Sequence, residues 1–560
     1  MSEIPTWEQA IEMLTGPDGP FEIVEQEIAG RRTKVFANTP PSLRQAFQGA
    51  RLHGDKTFIV YEDEIWSFSR MMERVDEIAD ALVHRYRIEP GDRVAIAMRN
   101  YPEWIASFAA ILSVGGVAVC MNAWWKLDEM TYGLEDSGSK LLIADLERIR
   151  VAEPVLARDG VPAMAVRAEG EMPPGVDRME EILRAGASMP EVEVGPEDDA
   201  TILYTSGTTG FPKGAVSTNH AVLSALRAFT CRALVGALTQ PPREPSPYET
   251  SFILAVPLFH VTGLVPVMLS CFMNGFKLVM MYKWSPERAL ELIERERVTQ
   301  FVGVPTMTID MLESPEFARR DTSSLASVGG GGAPAPPELV SRVEGSFQRG
   351  RPGIGYGMTE TNAYGPQNAG DDYVRKPRST GRAVPVLEVG IFDADMKPLP
   401  PGQVGEICFR GPNLIRGYWN KPEATAETIV DGWLKSGDIG RIDEEGFVYV
   451  EDRAKDMVLR GGENIYCAEV EAVIYESPDV HEAAVFGIPH ERLGEEVACA
   501  VMARKGREID VIALREHLAR HLAPFKVPTV FEVVSEPLPR NASGKILKRE
   551  IREALLAARD

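Results

Sequence analysis

The 560-residue chain is poor in cysteine, and its six thiols are scattered. Cys120, Cys231, Cys271, Cys408, Cys467 and Cys499 sit mostly among apolar neighbours. That pattern excludes a disulfide framework and a zinc-ligand spacing, and predicts reduced core residues in a cytoplasmic protein. Positive charge is in deficit, 60 basic against 82 acidic residues for a net charge of −22. A chain this acidic is not built to bind nucleic acid or an anionic membrane through its overall field, although local basic sites for phosphate remain open. No run of 18 apolar residues stands out. The nearest, Trp104 to Cys120, is short and carries Gly115 and Gly116, so it predicts a buried helix running into a strand and no integral membrane segment. Met1-Ser2-Glu3-Ile4-Pro5 lacks the basic-then-apolar order of a secretory signal, and Ala558-Arg559-Asp560 is not a Ser-Lys-Leu address. Internal repeats and low-complexity tracts are absent.

What is present is a large apolar fraction, 44%, enough for an extensive core. The length predicts three or four domain-sized units, or a large body with a smaller companion. Through residues 40–360 helical and strand patterns alternate. Ser42 to Gly49 and Phe68 to Tyr86 read as helices, Lys56 to Ile65 as a hairpin, and Arg93 to Met98 as a strand. Ser285-Pro286 opens another helix, and Val298 to Val304 follows as a strand. Such alternation predicts an α/β fold with parallel sheets covered by helices. From about Val384 to Val450 short strands between Pro/Gly turns predict a β-rich subdomain. After Asp452 the order of short strands and helices predicts a small α+β domain. The expected division is 1–452 and 453–560.

Residues 204–214 read Tyr204-Thr205-Ser206-Gly207-Thr208-Thr209-Gly210-Phe211-Pro212-Lys213-Gly214. Glycines let successive N–H groups turn inward, and a concave row of donors holds anionic oxygens. Hydroxyls add donors, and Lys213 adds a mobile cation. Thr201, Ile202 and Leu203 read as the end of a buried strand. Asn219 is placed to cap a following helix that carries Val222, Leu223, Leu226 and Phe229. Strand, loop and helix would together grip phosphate. It is not a Walker A loop, because Phe211-Pro212 separates Gly210 from Lys213, and glycine follows the lysine.

Four further stretches follow in order: Gly355-Tyr356-Gly357-Met358-Thr359-Glu360, Ser436-Gly437-Asp438, Asp452-Arg453-Ala454-Lys455-Asp456 with Gly461-Gly462-Glu463-Asn464-Ile465, and Pro539-Arg540-Asn541-Ala542-Ser543-Gly544-Lys545-Ile546. Singly, each has a bland reading as a turn, an exposed acid or a solvated lysine. With the phosphate loop, across about residues 40–553, they resemble the adenylate-forming superfamily, specifically the AMP-forming acyl-CoA synthetases. The resemblance implies a large N-terminal body and a mobile C-terminal lid. It implies ATP and Mg²⁺ as cofactors, coenzyme A as co-substrate, a small-molecule carboxylic acid as partner, and a possible homodimer.

The resemblance also implies roles. Lys545, Thr205 and Glu360 are the expected catalytic residues. Lys545 would bridge the substrate carboxylate and the α-phosphate, offsetting their repulsion. Glu360 would be the magnesium ligand, with Thr359 beside it. Thr205, Ser206, Gly207, Thr208, Thr209, Gly210 and Lys213 would hold phosphate. Gly331, Gly332, Ala333, Gly355, Tyr356, Gly357 and Met358 would surround the nucleotide, with the Tyr356 ring offered to adenine. Asp438 would accept both ribose hydroxyls, with Arg453 next to it. His260, Gly330 and Gly331 would border the acyl pocket, and Gly461 and Gly462 would line a CoA channel once the lid turns about Lys455. Pro257 to Gly263 holds no acidic residue for a substrate ammonium, which disfavours an α-amino acid. Ser436 and Asn541 replace threonines common in the family, and both keep a hydrogen-bonding side chain.

These residues lead to an ATP-dependent carboxylic acid:CoA ligase acting on a medium or long fatty acid or a bulky hydrophobic acid. Three alternatives stay open: an acyl-AMP ligase loading a carrier protein, a luciferase-like oxygenase, and a non-catalytic nucleotide-binding protein. His517 and His521, four apart on a helix, are spaced as a metal pair. No third ligand lies near them in sequence, so they read as surface residues.

Overall fold

The computed structural model describes residues 4–28, 30–205, 212–241, 244, 246–461, 463–541 and 544–558. Two eight-stranded sheets carry the larger part of the chain. The first runs, in spatial order, Gly417–Tyr418, Lys213–Thr218, Asp199–Thr205, Val117–Cys120, Arg93–Ala97, Leu141–Asp145, Ala163–Val166 and Val176–Arg178. It is parallel from Asp199–Thr205 onward and antiparallel at the other edge. The second runs Gln367–Ala369, Arg351–Gly355, Ser327–Gly331, Gln300–Gly303, Ser251–Leu254, Lys277–Met280, Thr57–Tyr61 and Glu64–Ser67, parallel inside with an antiparallel strand at each edge. Central strands such as Leu141–Asp145 are buried throughout, as expected where helices cover both faces. The Trp104-to-Cys120 stretch is the helix Pro102–Ser113, buried at every residue, followed by the strand Val117–Cys120.

Local chemistry places most boundaries where the sequence predicts them. Ser42 and Ser285 cap the helices Leu43–Ala50 and Pro286–Glu296, each Oγ accepting a first-turn N–H. Asn219 is a correction. The helix Asn219–Leu238 is capped by Thr218, whose Oγ1 accepts from Ala221 N at 3.2 Å. Asn219 Oδ1 instead accepts the Leu43 N–H at 2.9 Å, tying two helices together inside the core. A second correction concerns the phosphate loop. It does not lead straight into that helix, because Lys213–Thr218 first forms a strand antiparallel to Asp199–Thr205. Alternation of apolar residues was hidden there by a stretch buried from Gly214 to Thr218. A third concerns membrane-length segments: among the described residues the helix Asn219–Leu238 has the length and hydropathy to cross a membrane, and more than half of it is buried within the fold.

Strands Glu388–Phe392, Gly405–Arg410, Trp433–Ile442, Ile429–Val430 and Val448–Arg453 form an antiparallel sheet where the β-rich subdomain was expected. Pairing on this sheet continues to Asp438 opposite Arg453. The next strand, Val458–Arg460, already belongs to the final sheet, with Glu463–Ile465, Gly494–Ala503, Val480–His490 and Val530–Val534. That sheet and its helices close over apolar clusters of their own, around Val470, Val485 and Leu518 on one side and Phe486, Ile551 and Leu555 on the other.

The C-terminal unit rests on the body through few groups. A Cβ at Gly544 would lie 3.0 Å from Val304 Cγ2, so glycine permits the close approach there. Glu313, the last residue of the helix Pro305–Glu313, pairs with Arg504 and, through Oε2, with His481 Nδ1 at 3.1 Å. The Glu313 hydrogen bond raises the His481 pKa against the opposing effect of burial. Its stabilisation is therefore complete below the ordinary histidine value of about 6.5 and lost as pH rises through the raised folded value. His481→Gln is expected to cost about 1 kcal/mol near pH ~6 and much less near pH ~9, read from melting curves. An equal cost at both ends would show that the contact does not titrate.

Candidate active site

A cavity of about 1520 Å³ opens between the body and the C-terminal unit. Body residues Thr205, Lys213, Glu360 and Asp438 line it, and so do Arg453, Lys455 and Lys545 from the connection and the C-terminal unit. His260, Gly330, Gly331 and Gly332 line it too, as do Gly355, Gly357, Met358 and Thr359. Ala333, Tyr356 and Gly461 do not. Ser206, Gly207, Thr208, Thr209, Gly210 and Gly462 lie outside the described residues.

Asp438 owes its position to a bulge. Glu406 opposes Ile439 and Cys408 opposes Lys435, so Ser436, Gly437 and Asp438 together face Ile407 alone. The extra residues bend the strand. Gly437 takes φ +72°, a value that glycine tolerates. Ser436 Oγ donates to Ile407 O at 2.6 Å and accepts from Asp438 N at 3.0 Å, so the family-variant serine fixes the bulge. The carboxylate accepts the Tyr356 hydroxyl at 2.6 Å and faces Arg453 Nε at 3.4 Å. Tyr356 thus aims Asp438, while its ring packs on Phe409 with centroids 5.7 Å apart. Burial, and then Asp438, push its phenol pKa well up.

Glu360 is 6% exposed. Its Oε1 accepts the Tyr418 hydroxyl at 2.7 Å, and the Lys213 ammonium lies 4.1 Å from the Tyr418 ring centroid. Tyr418 therefore orders both an anion and a cation beside the phosphate loop. Sequence reading missed it, since Gly417-Tyr418 is a two-residue strand whose pairing with Val216 and Ala215 joins segments some 200 positions apart. Magnesium prefers hard oxygen ligands and keeps water. A buried carboxylate that lines the same cavity as the Thr205 and Thr359 hydroxyls fits it.

Lys545 is carried on a turn in which Asn541 N donates to Lys545 O and Lys545 N to Asn541 Oδ1, both at 2.9 Å. The second family-variant residue thus shapes the turn that presents the lysine. Burial first, and then Arg453, lower the Lys545 pKa to about 7 against the opposing pull of Asp456 and Asp438. The ammonium is held where its charge is poorly compensated until an anion arrives.

Gly329, Gly330 and Gly331 are not loop residues; they end the strand Ser327–Gly331, beside Gly353 and Gly355. A Cβ at Gly330 would meet Gly303 O at 1.9 Å. The cavity floor here is bare main chain. Opposite it, Phe229, Thr230, Ala233, Leu234, Ala237 and Gln240 line the cavity from the helix Asn219–Leu238 and the residues just after it. Of these, the sequence reading named Phe229 alone, and only as an apolar residue of the helix. The ten helical residues 229–238, at about 1.5 Å each, give this wall a length of ~15 Å. His260 also lines this cavity. Its Nδ1 accepts from Thr262 N at 3.3 Å, and burial lowers its pKa to about 4, so the ring is neutral with the proton on Nε2.

A family model for AMP-binding enzymes matches residues 46–419, and one for the C-terminal domain of AMP-binding enzymes matches residues 469–545. The chain is 35% identical to a long-chain-fatty-acid–CoA ligase of Mycobacterium tuberculosis over 494 residues, 87% of this chain and 92% of the relative. It is also 35% identical to a feruloyl-CoA synthase of an Amycolatopsis species over 505 residues, 90% and 96% of the two chains. Among solved structures, the o-succinylbenzoate CoA synthetase of Bacillus subtilis with its acyl-adenylate intermediate superposes with a TM-score of 0.77 at 29% identity, over 92% of this chain and 98% of that one.

Two outcomes test the geometry. Tyr418→Phe should lower kcat/KM for ATP about ten- to a hundredfold, the worth of a hydrogen bond to a charged group, with little change in fold. An unchanged kcat/KM would remove Tyr418 from the phosphate site. The kcat/KM profile should fall as pH rises through about 7, as free Lys545 loses its proton. The kcat profile should fall at higher pH, because bound triphosphate favours the ammonium.

Proposed function

We propose that this chain, which belongs to the AMP-binding enzyme family and is an AMP-forming acid–thiol ligase using ATP, magnesium and coenzyme A, takes a medium-to-long fatty acid or another bulky hydrophobic acid as its substrate. The observation that carries this reading is a single cavity lined by Phe229, Ala233 and Ala237 of one helix, by the glycine strand, and by Lys545, Asp438 and Glu360. Acetate would leave such a space filled with water. A neutral His260 and the absence of an acid between Pro257 and Gly263 suit an uncharged chain rather than an ammonium group. Relatives named for fatty and for aromatic acids support the hydrophobic character and leave the shape of the acid to this wall.

In this reading, a carboxylate oxygen attacks the α-phosphorus of ATP and pyrophosphate departs, leaving an acyl-adenylate. Lys545 supports the attack by lying between two anions that repel each other. Asp438 and Arg453 hold the ribose side, and Thr205 and Lys213 the phosphates. Glu360 would hold magnesium, which would supply positive charge to the triphosphate. The CoA sulfur then attacks the activated carbonyl, and AMP leaves. Residues 1–452 act as the adenylating body and 453–560 as the lid. Lys455 is the hinge, since 454–457 is all that joins the last strand of one sheet to the first strand of the other. Turning there brings Gly461 and its neighbour to the site as the wall of a CoA channel.

A panel of carboxylic acids scored for CoA-dependent AMP release tests the substrate class. Activity confined to short acids would overturn it. Lys545→Ala should lose adenylate formation by about 10²–10³-fold while keeping thioester formation from supplied acyl-AMP. Full ATP-dependent activity in that variant would remove Lys545 from the first step. Val302, on a strand of the floor, faces the cavity. Val302→Phe should depress kcat/KM for long acids about tenfold more than for short ones, the cost of a few clashing methylenes.

A further inference from the structure

The pair His517 and His521 gains in the fold the third ligand that sequence did not place near it. Both lie on the helix Val511–His521, with ring centroids 4.7 Å apart. Glu476 caps the end of the helix Cys467–Tyr475, and its Oε2 comes 3.3 Å from His517 Nε2. That nitrogen is buried yet has no aligned hydrogen bond. One donor atom from each residue can be chosen so that all lie within 4.8 Å of one another. Ligand bonds of about 2.0–2.2 Å at tetrahedral angles place donors ~3.4 Å apart, so side-chain rotations that draw these atoms together by about 1–1.5 Å complete the set.

We propose that Glu476, His517 and His521 form a binding site for a borderline divalent transition ion such as Zn²⁺, separate from the magnesium–nucleotide centre. The donor set argues for the class. Two imidazoles and one carboxylate suit Zn²⁺, Co²⁺ or Ni²⁺, whereas magnesium and calcium favour all-oxygen cages. Glu476 and His521 are exposed, so water completes the coordination. The local field favours a cation. On the body, Glu338 Oε2 is buried without a hydrogen-bond partner, and Glu476 lies close enough for the two carboxylates to repel. An ion here would join the ends of two helices of the C-terminal unit and relieve that repulsion.

The test uses the full-length chain without nucleotide, titrated with Co²⁺ at neutral pH and followed by visible absorption. One equivalent should develop ligand-field bands. The bands should vanish in His517→Ala and His521→Ala. They should require higher metal in Glu476→Gln, by at least the ~10–100-fold that loss of an outer-shell partner alone costs. They should persist in His84→Ala, a histidine paired with Asp80 elsewhere. Zn²⁺ should raise the melting temperature of the wild type and not that of His517→Ala, whose metal-free melting shows whether it folds. Absence of bands, or bands that survive in both histidine variants, would overturn the site.

Discussion

An ammonium kept out of water is the constraint on which the active cavity depends. Lys545 belongs to the smaller unit, but the groups that give it a function belong to the larger one. Burial alone makes the charged lysine unfavourable, and neighbouring Arg453 and Lys455 add to the cost. The arrangement persists because other contacts hold the two units together: the glycine at 544 lets the turn approach Val304, and Glu313 gathers His481 and Arg504. In the proposed reaction an incoming pair of anions would supply the missing countercharge, so the same electrostatic deficit that costs stability in the empty protein would favour substrates.

A second layer of residues aims the first. Tyr356 and Ser436 direct Asp438, Tyr418 directs Glu360, and Asn541 shapes the turn of Lys545. Tyr356 and Tyr418 do so by donating their hydroxyls at 2.6 and 2.7 Å, and Asn541 by accepting the Lys545 N–H. Groups fixed in this way lose little freedom when ligand arrives, which favours precise positioning of charge.

Much of this was legible in the chain. Helix starts followed from Ser42 and Ser285, the late strands and helices from their apolar periods, and Thr205, Lys213, Glu360, Asp438, Arg453 and Lys545 in the cavity from motifs with a chemical reason for each residue. The failures share a cause: competition settled at a distance. Asn219 and Thr218 are both competent caps, and only the position of Leu43 decides between them. The strand Lys213–Thr218 is buried along most of its length, so it has no alternating signature. Tyr418 acts through pairing with residues far away in sequence, and Glu476 meets His517 only after two helices pack. The helix Asn219–Leu238 is apolar nearly all round, so sequence marks that it is internal but not which side faces empty space.

The glycine strand carries one more consequence. A floor made of main chain has a shape set by the pleat of the sheet and hardly by the genetic choice of residue, since a single methyl at 330 collides with a carbonyl. Variation is thereby steered away from the glycines to side chains such as Val302 and to the helix, where an alanine can become larger without disturbing strand register. Such a split between an invariant base and an adjustable roof lets one scaffold be retuned for acids of different girth through few substitutions, while the reacting end stays in register with the nucleotide.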